Sequence, residues 1–66
     1  MTIEYWEPMS AAEVKNIPKM TVISANSSFH VEEIRMEYKG ELYRSLYEIS
    51  TGDLIANEKF KEEVTL

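Results

Sequence analysis

The chain has no cysteine, a single histidine, a single aspartate, and only two glycines and two prolines among its 66 residues. Each shortage removes a class of explanation. Without cysteine there is neither a disulfide framework nor a cysteinate metal site. His30 cannot assemble a zinc centre unless carboxylates or a second chain help it, so no cofactor or metal is expected. Cys–His catalysis is excluded, and a Ser–His–Asp arrangement is reduced to one choice, His30 with Asp53. Nucleophile elbows, phosphate-cradling Gly-rich loops and dinucleotide fingerprints are all missing. Long apolar runs are missing too: none approaches the roughly 20 residues that span a bilayer. The segment Met1–Pro8 carries acids where a signal peptide carries bases. A cytoplasmic chain with no membrane partner is the expectation. Basic charge is in deficit, with seven Lys and Arg against twelve Asp and Glu and a net charge of −5. That balance opposes a general nucleic-acid binder, which displaces counterions with a basic footprint.

What is present suits one small domain over residues 1–66. Apolar residues make up 44% of the chain, yet a domain of this size buries only about 60% of the surface its unfolded form exposes. Its stability must come from good packing or from association. Residues 9–17 predict a short helical segment. Ser10 is a suitable N-cap, Glu13 completes a capping box, and Met9 and Val14 have the spacing of a hydrophobic staple. Pro18 ends the segment and biases Ile17 away from helical angles. Two turns cannot persist alone, so the helix must dock, through Met9, Val14 and Ile17 with Trp6 nearby.

Residues 20–66 read as β-rich. Met20–Ser24 predicts a strand, and Ala25–Ser28 the loop after it. Lys39-Gly40 and Thr51-Gly52 each suit a tight hairpin turn, where glycine accepts the positive φ required. The first turn sets Tyr38 opposite Glu41, Met36 opposite Tyr43, Ile34 opposite Ser45 and Glu32 opposite Tyr47. The second sets Ile49 opposite Leu54, Tyr47 opposite Ala56 and Tyr43 opposite Phe60. One face then collects Ile34, Met36, Tyr38, Tyr43, Tyr47, Ile49, Leu54, Ala56 and Phe60, and the helix packs on it. Leu42, Leu46 and Ile49 with Tyr43 and Tyr47 also fit helical spacing, but the tyrosine pair and the flanking glycine turns favour a strand over 41–50. The fold class is therefore α+β: a short N-terminal helix, then an antiparallel meander of four to five strands that can curl into a small SH3-like barrel.

The opposite face carries the functional expectation. The same register lines up Arg35, Arg44 and Lys59 across three strands. Like charges side by side are unfavourable, so the row is either neutralised by Glu33, Glu37 and Glu48 or retained to grip an acidic surface. Phe29, Val31, Leu42, Leu46 and Ile55 lie on that face as well, more apolar than an open, watered sheet should be. The Met20–Ser24 strand, the C-terminal Val64-Thr65-Leu66 or another molecule must cover them. An apolar patch rimmed by Arg and Glu has the composition of a protein-binding surface. Catalysis is not expected, since adjacent carboxylates such as Glu32 and Glu33 point to opposite sides of a strand. The expected function is a small acidic protein-binding module, a stoichiometric inhibitor or adaptor of a larger protein. A phage-type antagonist of a host nucleic-acid enzyme is one setting that suits its size and charge. The alternatives are a homo-oligomeric accessory protein, with a homodimer formed through the patch, and a weak nucleic-acid contact through the basic row.

Overall fold

The computed structural model describes residues Met1 to Thr65; the expected covering role of Leu66 lies outside the described residues. Five strands form one antiparallel sheet: β1 (Thr2–Pro8), β2 (Thr21–Ser28), β3 (Val31–Tyr38), β4 (Glu41–Glu48) and β5 (Leu54–Val64). Their spatial order is β1-β5-β4-β3-β2. Between β1 and β2 lies the helix α1 (Ala11–Lys15), followed by a 3-10 turn over Ile17–Lys19. The α+β class and the meander hold. The sheet stays open, however, with β1 and β2 at opposite edges, and does not curl into a barrel.

That order dictates where the core can be. The chain leaves β1 at one edge and must enter β2 at the other, crossing four inter-strand gaps of about 4.8 Å each. The crossing segment can lie on only one face, and the capping box fixes its start. Ser10 Oγ accepts from the Glu13 amide at 3.2 Å, while the Glu13 carboxylate accepts from the Ser10 amide at 2.9 Å. The helix is shorter than expected, because Asn16 caps it and Pro18 redirects the chain into the 3-10 turn. Met20, Met36 and Tyr43 form the buried centre, with Met9, Ile17, Ile34 and Tyr38 packed around it. Val14 does not dock as the staple predicts and stays exposed. Trp6 lies on the other side of the sheet, against Phe60.

The first hairpin has the predicted register in all four pairs, from Tyr38 opposite Glu41 to Glu32 opposite Tyr47. Lys39 and Gly40 both have positive φ, as a tight two-residue turn between right-twisted strands demands. Residues 41–48 are strand, not helix. Ala25–Ser28 is not a loop but the second half of β2, held by its ladder to β3. Its small polar side chains have little strand propensity, and the two-residue connection Phe29-His30 leaves them no room to diverge.

The second hairpin differs from expectation in its turn and by a bulge, and the bulge decides which face each β5 side chain takes. Tyr47 pairs with Leu54, but Leu46 pairs with Ala56, so Ile55 is an extra residue bulged out of β5. The connection is also longer than two residues. The Glu48 amide donates to the Asp53 carbonyl, and the Gly52 amide donates to the Glu48 carbonyl. Ile49 leaves the sheet, its amide bonded to the His30 carbonyl at 2.8 Å. Because side chains alternate with period two, one inserted residue sends everything beyond it to the opposite face. Ala56 and Phe60 therefore leave the helix-covered face, and Lys59 joins it. β1, unforeseen from sequence, pairs with β5 along its whole length, from Thr2 opposite Val64 to Pro8 opposite Glu58.

The result is a single-layer molecule. Its radius of gyration is 12.7 Å, against about 11 Å for a compact chain of this length. Its accessible surface is 4834 Å², above the roughly 4,300 Å² expected of a 7.7 kDa globule.

Candidate protein-binding face

The face away from the helix is assembled by the registers just described. β4 presents Leu42, Arg44 and Leu46; β3 presents Val31, Glu33, Arg35 and Glu37; β5 presents Ala56, Glu58 and Phe60; β1 adds Trp6. No element among the described residues packs over it, since α1 and the 3-10 turn both lie on the other side.

Its centre is a charge network closed on itself. Glu33 accepts from Arg35 Nε at 2.9 Å and from Arg44 Nη1 at 2.9 Å. Arg44 also holds Glu58, through Nε at 2.8 Å and Nη2 at 2.7 Å. Burial works against ionisation of Glu33, but the hydrogen bonds from Arg35 and Arg44 outweigh it and hold its carboxyl below the ordinary carboxylate range. Two arginines meet two glutamates, so the network is neutral. The indole of Trp6 lies against it, with the Arg44 guanidinium 4.1 Å from the ring centroid and that of Arg35 at 5.5 Å. Phe60 meets Trp6 edge-on at 5.4 Å. Arginine on an indole keeps its in-plane donors free for carboxylates while its face covers apolar surface. The apolar side chains Val31, Leu42 and Leu46 are half-buried beside it.

Of the eight residues singled out from sequence, five meet on this face: Val31, Arg35, Leu42, Arg44 and Leu46. Three do not take the expected place. Lys59 is turned to the helix side by the bulge, where its Nζ lies 3.3 Å from the Glu13 carboxylate. The position expected to extend the basic row is filled by Glu58, opposite Arg44. Ile55 is the bulge residue itself and is exposed. Phe29 sits at the tip of the β2–β3 connection, 97% exposed. Trp6, Glu58 and Phe60 were not foreseen. The signal for Trp6 was present in the β-forming run Thr2-Ile3-Glu4-Tyr5-Trp6 closed by Pro8, a residue suited to the end of an edge strand.

No protein-family model, curated protein or solved structure matches this chain.

Proposed function

We propose that this domain is a small acidic protein-binding module, without catalytic activity, that docks its uncovered sheet face on a larger protein as a stoichiometric inhibitor or adaptor. The supporting observation is the Trp6–Arg44 centre. It combines two of the side chains most enriched at energetic hot spots, flanked by Phe60, Leu42 and Leu46, on a face that no element among the described residues covers. The charges at its centre are paired internally, so a partner meets planar, hydrogen-bonded surface there with little unpaired charge to desolvate. The same pairing weakens the nucleic-acid alternative. The basic row is interrupted by Glu58, and Arg44 is already held by two carboxylates, which leaves few cations to release counterions.

The test is capture from the native host followed by titration of the captured partner against variants. Lysine at positions 42 and 46 suits the purpose, because Glu37 and Glu33 lie directly opposite. Leu42→Lys and Leu46→Lys then gain cross-strand ion pairs while charging the apolar face. Circular dichroism should be unchanged, binding should be 1:1 in the wild type, and affinity should fall at least about tenfold in the double variant. Unchanged affinity would remove this face from the function.

A further inference from the structure

Charge is shared unequally between the two sides of the sheet. By register, the face that carries Trp6 and Arg44 holds six glutamates, Glu4, Glu33, Glu37, Glu48, Glu58 and Glu62, against the two arginines Arg35 and Arg44. Its net charge is −4, out of −5 for the whole chain. All five lysines lie elsewhere. Lys15 and Lys19 belong to the crossing segment, Lys39 sits over the Tyr38 ring, and Lys59 and Lys61 pair with carboxylates of the helix side. Glu33 and Glu58 are neutralised by the arginines at the centre. The other four glutamates stand around that centre, and among the described residues no cation pairs with them. Glu48, at one end of the face, accepts from the Ser50 hydroxyl. Glu37 is exposed opposite Leu42, and Glu4 lies directly opposite Glu62 across the β1–β5 ladder. Like charges so placed are unfavourable in the free domain, and no described cation offsets them.

We infer that the occupant of this face is a basic protein surface, one that sets lysines and arginines around an apolar patch. The inference rests on the docking role proposed above and names the chemistry of the partner. Trp6 with Phe60, Leu42 and Leu46 supplies contact area at a centre whose charges are already paired. The four outer carboxylates supply charge complementarity. Glu48 and Glu37 stand about 20 Å apart, six residues of strand. That exceeds a Debye length of about 8 Å, so each takes its own cation. Rim charges of this kind steer the encounter and reject partners of the wrong sign more than they add affinity. Two occupants are rejected on that ground. A second copy on this face sets −4 against −4, and a nucleic acid brings phosphates to the same carboxylates.

Trp6 is the chain's single tryptophan, so its emission reports on this face. The probe is a tryptophan-free peptide with lysines flanking two leucines, titrated against the full chain. Salt is held at about 0.1 M, where a Debye length of about 10 Å keeps each charge to its own side of the sheet. The comparisons are the same peptide with glutamate for lysine, and a thymidine oligonucleotide. The basic peptide should shift the emission saturably at 1:1, with a Kd that rises as salt is added. Glu4→Gln, Glu37→Gln and Glu62→Gln together should weaken binding about tenfold. Their thermal midpoint should stay level or rise, because cross-strand repulsion is relieved. Glu32→Gln, Glu41→Gln and Glu63→Gln remove three charges from the helix side and should change the Kd by less than about twofold. The proposal is overturned by a basic peptide that leaves Trp6 unmoved to millimolar concentration, or by an acidic peptide or oligonucleotide that binds as well. Emission that moves as the chain alone is concentrated overturns it too, as does an equal loss in the helix-side variant. The captured partner separates this proposal from the one beneath it. A partner lost with Leu42→Lys and Leu46→Lys, yet indifferent to salt and to the three rim substitutions, overturns the basic occupant and leaves docking on this face intact.

Discussion

Ser45 lies on the helix side of β4 with 2% exposure, and its Oγ donates to Asn57 Oδ1 at 2.7 Å, directly across the β4–β5 ladder. A hydroxyl this deep is tolerated because its partner is fixed in register by backbone pairing, so the bond requires little additional ordering. Ser45→Ala removes the donor and leaves the amide oxygen beside apolar neighbours, which costs about 1 kcal/mol or somewhat more. A lower urea midpoint with an unchanged m-value would show it, and an unchanged midpoint would mean that Asn57 finds another donor. Lys59 makes the same point about single positions. On sequence it extends a row of cations; in the structure it approaches the Glu13 carboxylate and the Tyr43 ring. The hydrogen bond to Glu13 raises its pKa above the ordinary lysine value, against the opposing effect of burial. That contribution to stability is present below the ordinary lysine range and is lost as the pH rises through the higher folded-state value.

At the scale of elements, the five-residue helix is held less by its own turns than by Glu13, which ties it both to its cap and to the sheet. The Glu13 carboxylate accepts from the Ser10 amide at 2.9 Å and from the Tyr43 hydroxyl at 3.4 Å, and it pairs with Lys59. Its pKa falls from 4.5 to about 2, first through the Ser10 backbone hydrogen bond, with the Ser10 side chain and Lys59 adding to it against burial. A folded-state value below the unfolded one means that the stabilisation is complete above about pH 4.5 and is lost as the pH falls toward 2. Glu13→Gln should therefore lower the thermal midpoint near neutrality and flatten its fall in acid. A variant with the wild-type acid limb would show that the cap carries no linkage. The capping box was legible because it is written in four consecutive residues, and the β3–β4 hairpin because Lys39-Gly40 allows only one turn length. The β4–β5 hairpin was not legible, since nothing local to Asp53-Leu54-Ile55-Ala56 announces a bulge. What selects it is distant: with Ile55 bulged, Phe60 reaches Trp6 and Lys59 reaches Glu13, contacts spanning 54 and 46 positions of the sequence. The pairing of β1 with β5 was hidden for the same reason. Its ladder joins the two ends of the chain, and the Met1 ammonium donates to the Thr65 carbonyl at 2.9 Å.

For the molecule as a whole, the strand order places both outer edges far apart in the sheet but adjacent in sequence, so among the described residues one crossing segment is available to cover two faces. It covers part of one. The buried apolar centre consequently amounts to Met20, Met36 and Tyr43, while Phe29, Ile49, Leu54 and Ile55 stay exposed at one end and Ile3 and Val64 at the β1 edge. Unfolding such a layer exposes less new apolar surface than unfolding a two-layer domain of equal length. The heat-capacity change of unfolding tracks that surface, and a typical chain of 66 residues gives roughly 0.8–1.0 kcal/mol/K. The monomer should fall below this range in scanning calorimetry of dilute samples. A partner docked on the Trp6–Arg44 face should raise the thermal midpoint, because a ligand that binds only the folded state stabilises it by mass action. A dilute-solution value at or above the usual range would show that the free chain already has its second face covered, and the Trp6–Arg44 surface would then be an interior rather than a docking site.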